Sequence, residues 1–322
     1  MRLCVTTCSP ILAFIALGAL ADTPEIQITL TNDDGWQADG IQTLYRSFEK
    51  SGHDVTLVAP ADQQSGSSAA INMGQLRVIR EAESQFSVHA CNDDVCTSTS
   101  GAEPATAALV GIDLTRRKNG GAGPDILISG TNEGSNLGSA TQLSGTVGAA
   151  VAASSRTLNG AVPAIAVSTD VPDTCREKPA CAKAHYDRVG RFVANLLEHL
   201  AAKANHEDRT RILPEGLVLN VNYPPVEARG IRVVAQDQAI NYNGATIRLE
   251  FSCEYCVDLE IGDTAEAALS GFSKDDVELA TNSELTSFAD GYVTIVPMHI
   301  DYTADNYEQY ADLFSGIKLK NQ

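Results

Sequence analysis

Hydrophobic and polar positions along this chain alternate between two periods, and the switching begins near Glu25. Ile28 and Leu30 alternate with Thr29 and Thr31, the period of a half-buried strand. After Asp39 and Gly40, the residues Ile41, Leu44, Tyr45 and Phe48 fall at i, i+3, i+4 and i+7, one buried face of a helix. Asp39 is the predicted N-cap and Gly52 the predicted stop. Residues 55–60 then read as a second strand, completing a strand–helix–strand unit that calls for a parallel sheet.

The rhythm continues. Residues 103–113 predict a helix, 125–129 a buried strand, and 146–156 an alanine-rich helix. After them come a strand at 164–168, a long helix at 182–203 and an apolar strand at 216–222. Beyond about Ala235 the alternation weakens, and β-like runs at 246–251 and 292–297 are joined by acidic links. The expected fold is α/β, with a parallel-sheet core over residues 22–235. Residues 236–322 are a β-rich extension, expected within the same domain or in oligomerisation.

Residues 1–21 stand apart. Arg2 is followed by a nearly continuous apolar run from Pro10 to Leu20, and Ala19-Leu20-Ala21 offers small residues for cleavage. The run is short for a bilayer span, so a removable signal peptide and an exported chain, periplasmic or secreted, are expected. Cysteine usage agrees. Without Cys4 and Cys8, six remain, in three close pairs: Cys91 with Cys96, Cys175 with Cys181, and Cys253 with Cys256. An even count in an exported chain predicts disulfides, and local pairing is the simplest scheme. A redox or zinc role for Cys253-Glu-Tyr-Cys256 finds no second CxxC and no nearby histidine.

Length and composition add limits. The 322 residues, 43% hydrophobic and 20% charged, suit an ordinary globular protein. A formal net charge of −18 disfavours a nucleic-acid duplex or an anionic membrane as partner. It also repels phosphorylated ligands, a conflict that a bound cation would relieve locally.

Candidate chemistry gathers in loops that follow predicted strands. The first is Asn32-Asp33-Asp34-Gly35, whose adjacent carboxylates suit a hard divalent cation (Mg²⁺, Mn²⁺ or Ca²⁺) or equally a capped turn. The second contains Ser65-Gly66, and the third runs through Asn132, Gly134, Asn136 and Gly138. In a parallel sheet all three fall on one edge, where ligands collect. A fourth segment, Ser144-Gly145-Thr146-Val147-Gly148, opens the alanine-rich helix and reads either as an anion-binding helix start or as a cap with small residues for packing. It is not a Walker loop, and there is no GxSxG elbow or HExxH. The six histidines are scattered and read as solvated or core residues, with His299 the one possible exception.

These segments together resemble the SurE family of metal-dependent nucleotidases. The likeness rests on Asn32-Asp33-Asp34-Gly35 with Gly40-Ile41, Ala59-Pro60, Ser65-Gly66, and Ser129-Gly130-x-Asn132-x-Gly134-x-Asn136-Leu137-Gly138. It continues in Ser144-Gly145-Thr146-Val147-Gly148-Ala149-Ala150, with fainter echoes at Leu219-Asn220-Val221-Asn222 and Gly291-Tyr292-Val293-Thr294-x-x-Pro297. The resemblance implies one divalent metal ion, Mg²⁺ or Mn²⁺ with Ca²⁺ a lesser option, ligated by Asp33, Asp34, Ser65 and Asn132. Asn136, Ser144, Gly145 and Thr146 are implied as phosphate-facing groups. The fold implied is a Rossmann-like α/β core of three layers (α/β/α), and the activity is hydrolysis of nucleoside monophosphates, in a homodimer or homotetramer. The expected mechanism is attack by a metal-activated water, with Asp33 or Asp34 as the base. Two departures matter. Gln63 and Gln64 stand where the family usually has basic residues, and the segment from Gly101 to Thr106 is altered. An exported nucleotide- or anion-binding protein without turnover, or a metal-dependent hydrolase of other esters, are the competing readings.

Overall fold

The computed structural model describes residues 25–158, 161–204, 212–239, 250–253, 260–265, 268–270, 279 and 281–301. The expected signal peptide lies outside these residues, as do most of the β-like run at 246–251 and Cys256.

The elements appear in the order β1 (Gln27–Thr31), α1 (Asp39–Lys50), β2 (Asp54–Pro60), β3 (Leu76–Ala82), β4 (Gln85–Cys91) and β5 (Thr99–Gly101). Then come α2 (Pro104–Lys118), β6 (Ile126–Glu133), α3 (Gly145–Ser154), β7 (Ala164–Thr169), α4 (Pro179–Lys203) and β8 (Leu217–Tyr223). The chain ends its described part with β9 (Ile231–Val233), β10 (Glu250–Ser252), β11 (Ala268–Ser270), α5 (Glu284–Ala289) and β12 (Val293–His299). One sheet carries the order β3-β4-β2-β1-β6-β7-β8-β12-β9, with β5 beside β4. From β4 through β8 the neighbours are parallel. The edges are not: β3 and β5 run antiparallel to β4, and β12 antiparallel to β8. β10 and β11 form a separate antiparallel pair.

The chain starts at β1, builds outward through β2 and β4, then returns to place β6 on the other side of β1. That reversal makes the β1/β6 boundary a topological switch point, the crevice where open α/β sheets bind ligands. The loops after β1 and β6 part there.

Two helical layers bury the sheet. α1 and α4 cover one face over Ile28, Leu30, Phe48, Val193 and Leu197, while α2 and α3 cover the other over Ile112, Leu127, Ala150 and Ala166. Each aliphatic or aromatic side chain fully buried there contributes about 1.5–3 kcal/mol. The predicted face of α1 is borne out, since Ile41, Leu44, Tyr45 and Phe48 are all buried. Its cap is not as expected. Asp39 is the first helical residue, Ala38 holds the cap position, and no side chain caps the end. Gly40 explains the tight seating of α1, because a Cβ there would lie 2.0 Å from the Thr131 carbonyl oxygen.

Differences from the sequence expectation cluster at the edges. β3, β4 and β5 were not anticipated, since β3 is largely exposed and lacks the alternation of a half-buried strand. α2 extends beyond the predicted helix, and α4 starts earlier, on Pro179 at its first turn. The run at 292–297 is β12, an integral strand of the main sheet. Cys91–Cys96 and Cys175–Cys181 are disulfides as predicted. Cys253 is also disulfide-bonded, but the pairing predicted with Cys256 lies outside the described residues. No helix among the described residues is long and apolar enough to cross a membrane.

Candidate active site

Four segments meet at the carboxyl end of β1. Gly35 turns the chain just after the two acids with a positive φ of 97°, a conformation that glycine adopts without a Cβ penalty. Asn32 Nδ2 donates to the Gly35 carbonyl at 3.0 Å, closing the turn. The loop after β2 docks on it through Gln64 N–H, which donates to the Asp33 carbonyl at 2.6 Å. From β6, the Glu133 N–H donates to Asp34 Oδ2 at 2.9 Å. The fourth segment is the start of α3, where Thr146 Oγ1 donates to Asp33 Oδ1 at 2.5 Å.

Asp33 is buried, 2% exposed, and the amino end of α3 points at it. The N–H groups of Gly145 and Thr146 face its carboxylate along with the Thr146 hydroxyl. A helix N-terminus attracts anions, and here the anion it holds is Asp33 itself. Only glycine fits at position 145: a Cβ would sit 2.8 Å from Ser67 Oγ and 3.0 Å from Asp33 Oδ2.

The electrostatics oppose leaving both acids ionised without a counter-charge. Burial raises the Asp33 carboxyl above the ordinary carboxylate range, even against the hydrogen bonds of Thr146 and Gly145. Burial likewise pushes Asp34 up to about 7, with Asp33 and Glu133 adding repulsion. Two desolvated carboxylates side by side are costly unless a cation joins them.

Unpaired oxygens mark where such a cation fits. Asn32 Oδ1 and Asn132 Oδ1 are buried and without a hydrogen-bond partner. Asn132 spends its amide group on the Gly134 carbonyl at 2.6 Å, which leaves the carbonyl oxygen free as a donor to a metal. The register between β6 and β7 breaks between Ser129 and Asn132, an irregularity of the kind that re-aims side chains beside functional sites. Carboxylate and amide oxygens are the ligands hard divalent cations prefer. Among the described residues no group of three or more His, Cys, Asp or Glu side chains is placed to hold a metal, so such a site relies on neutral oxygens.

The other expected residues are distributed as follows. Ser65 is exposed on the docked loop, where its hydroxyl accepts from Gln63 Nε2 at 3.0 Å. Ser67, two residues on, is the hydroxyl beside Gly145 and Asp33. Ser144 caps α3, its Oγ accepting from Val147 N–H at 3.1 Å. Asn136 is 8% exposed, gives its amide to Ser168 Oγ at 2.8 Å, and is gripped through its backbone by Asn220 and Asn222. In this conformation the side chains of Ser144, Thr146 and Asn136 serve the protein's own groups. His53 and His185 are buried core histidines, whereas His299 ends β12 and lines a cleft of about 680 Å³ with Ser68, Ser144 and Gln236.

A larger cleft of about 780 Å³ opens beside Asp34, bordered by Gln63, Glu133, Asp170, Arg176 and Tyr186. Burial and the carboxylates of Glu133, Asp34 and Asp39 drive the Tyr186 hydroxyl well above the usual phenol range. Thr146 was expected at the site as a phosphate-facing group, but its bond to Asp33 and the place of Arg176 at this cleft were not legible from the sequence, since each reaches the site across a large chain separation.

Comparison with known proteins agrees with this architecture. The family model described as Survival protein SurE matches residues 28–243. A 5'-nucleotidase SurE of Thermoanaerobacter sp. (strain X514) is 31% identical over 285 residues, covering 87% of this chain and 95% of that protein. The 5'-nucleotidase SurE of Desulfitobacterium hafniense (strain DSM 10664 / DCB-2) is 31% identical over 301 residues, covering 92% and 99%. The crystal structure of the SurE protein from Aquifex aeolicus superposes with a TM-score of 0.63 at 22% identity, covering 89% of this chain and 98% of that one, a likeness of fold. The matched span takes in the β1 turn, the β6 loop and the start of α3, so the chain belongs to the SurE family.

Proposed function

We propose that this protein is an exported phosphomonoesterase that hydrolyses nucleoside monophosphates with the help of one divalent cation. The reaction class, phosphomonoester hydrolysis, follows from membership of a family whose relatives carry the name 5'-nucleotidase. One observation carries the cation: two adjacent desolvated acids at the switch point, with the unpartnered Asn132 Oδ1 beside them. Asp33, Asp34, Ser65 and Asn132 would hold it. Mg²⁺ or Mn²⁺ suits these oxygens, and when bound the ion offsets phosphate charge and polarises a P–O bond.

The protein's own groups do the rest. Thr146 and the start of α3 fix Asp33 in one orientation, which sets the position of the whole carboxylate pair. Asp34, the less buried of the two acids and at the edge of the cleft, would accept the proton of the water that attacks phosphorus in line with the leaving oxygen. Glu133 N–H holds Asp34 Oδ2 in place for that transfer. The apolar leader and paired cysteines support export. A homodimer or homotetramer, with residues 236–322 in oligomerisation, is carried over from the family resemblance alone.

The test is phosphate release from AMP, GMP and p-nitrophenyl phosphate by the chain from Asp22, with Mg²⁺, Mn²⁺ or EDTA. Release that needs the cation and stops in EDTA is expected. Folded, oxidised protein that releases nothing with any cation would favour capture of a nucleotide without turnover.

A further inference from the structure

The cleft beside Asp34 poses a charge problem. Asp34, Asp39, Glu133 and Asp170 all border it, and among its described lining residues the only cation is Arg176. A phosphomonoester brings two more negative charges, and a single divalent ion offsets only two in all. The docked loop offers no help, because its residue facing this cleft is the neutral Gln63.

Arg176 is held there by an unusual piece of chain. Cys175 is buried at 5% exposure, and its disulfide to Cys181 ties the turn after β7 to the first turn of α4. Backbone bonds lock the same loop: Cys175 N–H donates to the Pro172 carbonyl at 2.7 Å, and Lys178 N–H to the Cys175 carbonyl at 2.8 Å. Among the described residues the guanidinium pairs with Asp173, Nε to Oδ1 at 2.8 Å, and both side chains are largely exposed at 71% and 87%. An exposed ion pair between close neighbours is weak and easily exchanged for a dianion. Guanidinium matches phosphate with two parallel N–H donors, so exchange favours the substrate.

We propose that Arg176, presented by the Cys175–Cys181 loop, is the substrate-binding cation of this site, so that affinity for phosphomonoesters depends on that disulfide. The proposal rests on the phosphomonoesterase reading. No bond is made or broken at Arg176; it grips the phosphate oxygens and leaves the chemical step to the aspartates.

The experiment compares wild type with Arg176→Ala, Arg176→Lys and the double variant Cys175→Ser, Cys181→Ser, each checked for a single thermal transition. Kinetics with p-nitrophenyl phosphate and Mg²⁺ are paired with calorimetric titration of inorganic phosphate. Arg176→Ala is expected to raise KM and the phosphate Kd about tenfold, with kcat within about twofold. Arg176→Lys falls between, having charge without the fork. The cysteine variant raises both constants in the same direction. Unchanged KM and Kd in Arg176→Ala would overturn the proposal, and an unchanged cysteine variant would overturn the role of the disulfide. Wild type that binds phosphate through Arg176 but hydrolyses nothing would sink the phosphomonoesterase reading and leave the binding role standing.

Discussion

Two buried acidic regions of this molecule look alike by burial and differ in what surrounds them. One is the Asp33–Asp34 turn at the end of β1. The other is Glu284, fully buried at the start of α5, whose carboxyl burial pushes up to about 7. Glu284 Oε2 accepts from the Gly138 N–H at 2.8 Å and the Asp237 N–H at 3.4 Å. It thereby ties α5 and the segment after β9 to the loop that follows Asn136. Gln236 Nε2 donates to the Gly138 carbonyl at 2.7 Å and the Leu285 N–H to Asp237 Oδ2 at 2.8 Å, completing a clasp over Leu137, Ala239 and Phe288. Glu284 also has a second acid near it, Asp237, and its own Oε1 is unpaired, yet backbone donors to Oε2 and the apolar cluster around α5 account for its place in the fold. At Asp33 and Asp34 the orphaned oxygens belong to two amides, Asn32 and Asn132, and a cleft opens beside Asp34, so a ligand is left unaccounted for. Burial and a raised pKa are common to both, so neither marks a functional acid. The company of unpaired amide oxygens at an open cleft does.

Three substitutions sharpen that contrast, from the largest effect to the smallest. Asp33→Ala is expected to lower kcat at least about 100-fold while the protein still folds, as seen by circular dichroism and a thermal melt. Near-wild-type turnover would move the catalytic centre elsewhere. Thr146→Val removes the hydroxyl that donates to Asp33 Oδ1 and keeps the volume. Cation affinity, measured by titration, is expected to fall about 10–100-fold and turnover with it. An unchanged affinity would show that the start of α3 does not orient the carboxylate pair.

Glu284→Gln tests the clasp through pH. The Glu284 carboxyl lies above its ordinary value of 4.5, so the folded protein holds this proton more tightly than the unfolded chain. Its contribution to stability is fully present below about pH 4 and is lost as pH rises through about 7. Between pH 5 and 8 the wild-type melting temperature should therefore fall by an extra few degrees, on the order of 2–4 °C per kcal/mol of lost stability. Glu284→Gln, which cannot ionise, should flatten that fall without altering the cation requirement. An identical pH slope in both proteins would mean that Glu284 does not titrate as the clasp requires.

The parallel core was legible because its residues obey simple periods: α1 shows its buried face every third or fourth residue, and the strands at 126–128 and 164–167 are short continuous apolar runs. The turn at Asn32-Asp33-Asp34-Gly35 reads by itself equally as a capped turn, and it became legible as a site only together with the other loops on the same sheet edge and the family resemblance. The edge strands β3 and β5 were not, because an exposed strand is held by its neighbour's backbone rather than by a hydrophobic pattern. Nor was the role of β12, which joins the main sheet antiparallel to β8.

The sequence by itself determined the α/β class, the order of the core elements, the family and the acids at the end of β1. All of these rest on local pattern or on short motifs. Only the tertiary structure decided that Thr146 serves Asp33, that Glu133 N–H holds Asp34, and that Arg176 faces the same cleft. Each of these pairs lies far apart along the chain, and contact across such separations is set by how helices and strands pack, which no local period encodes.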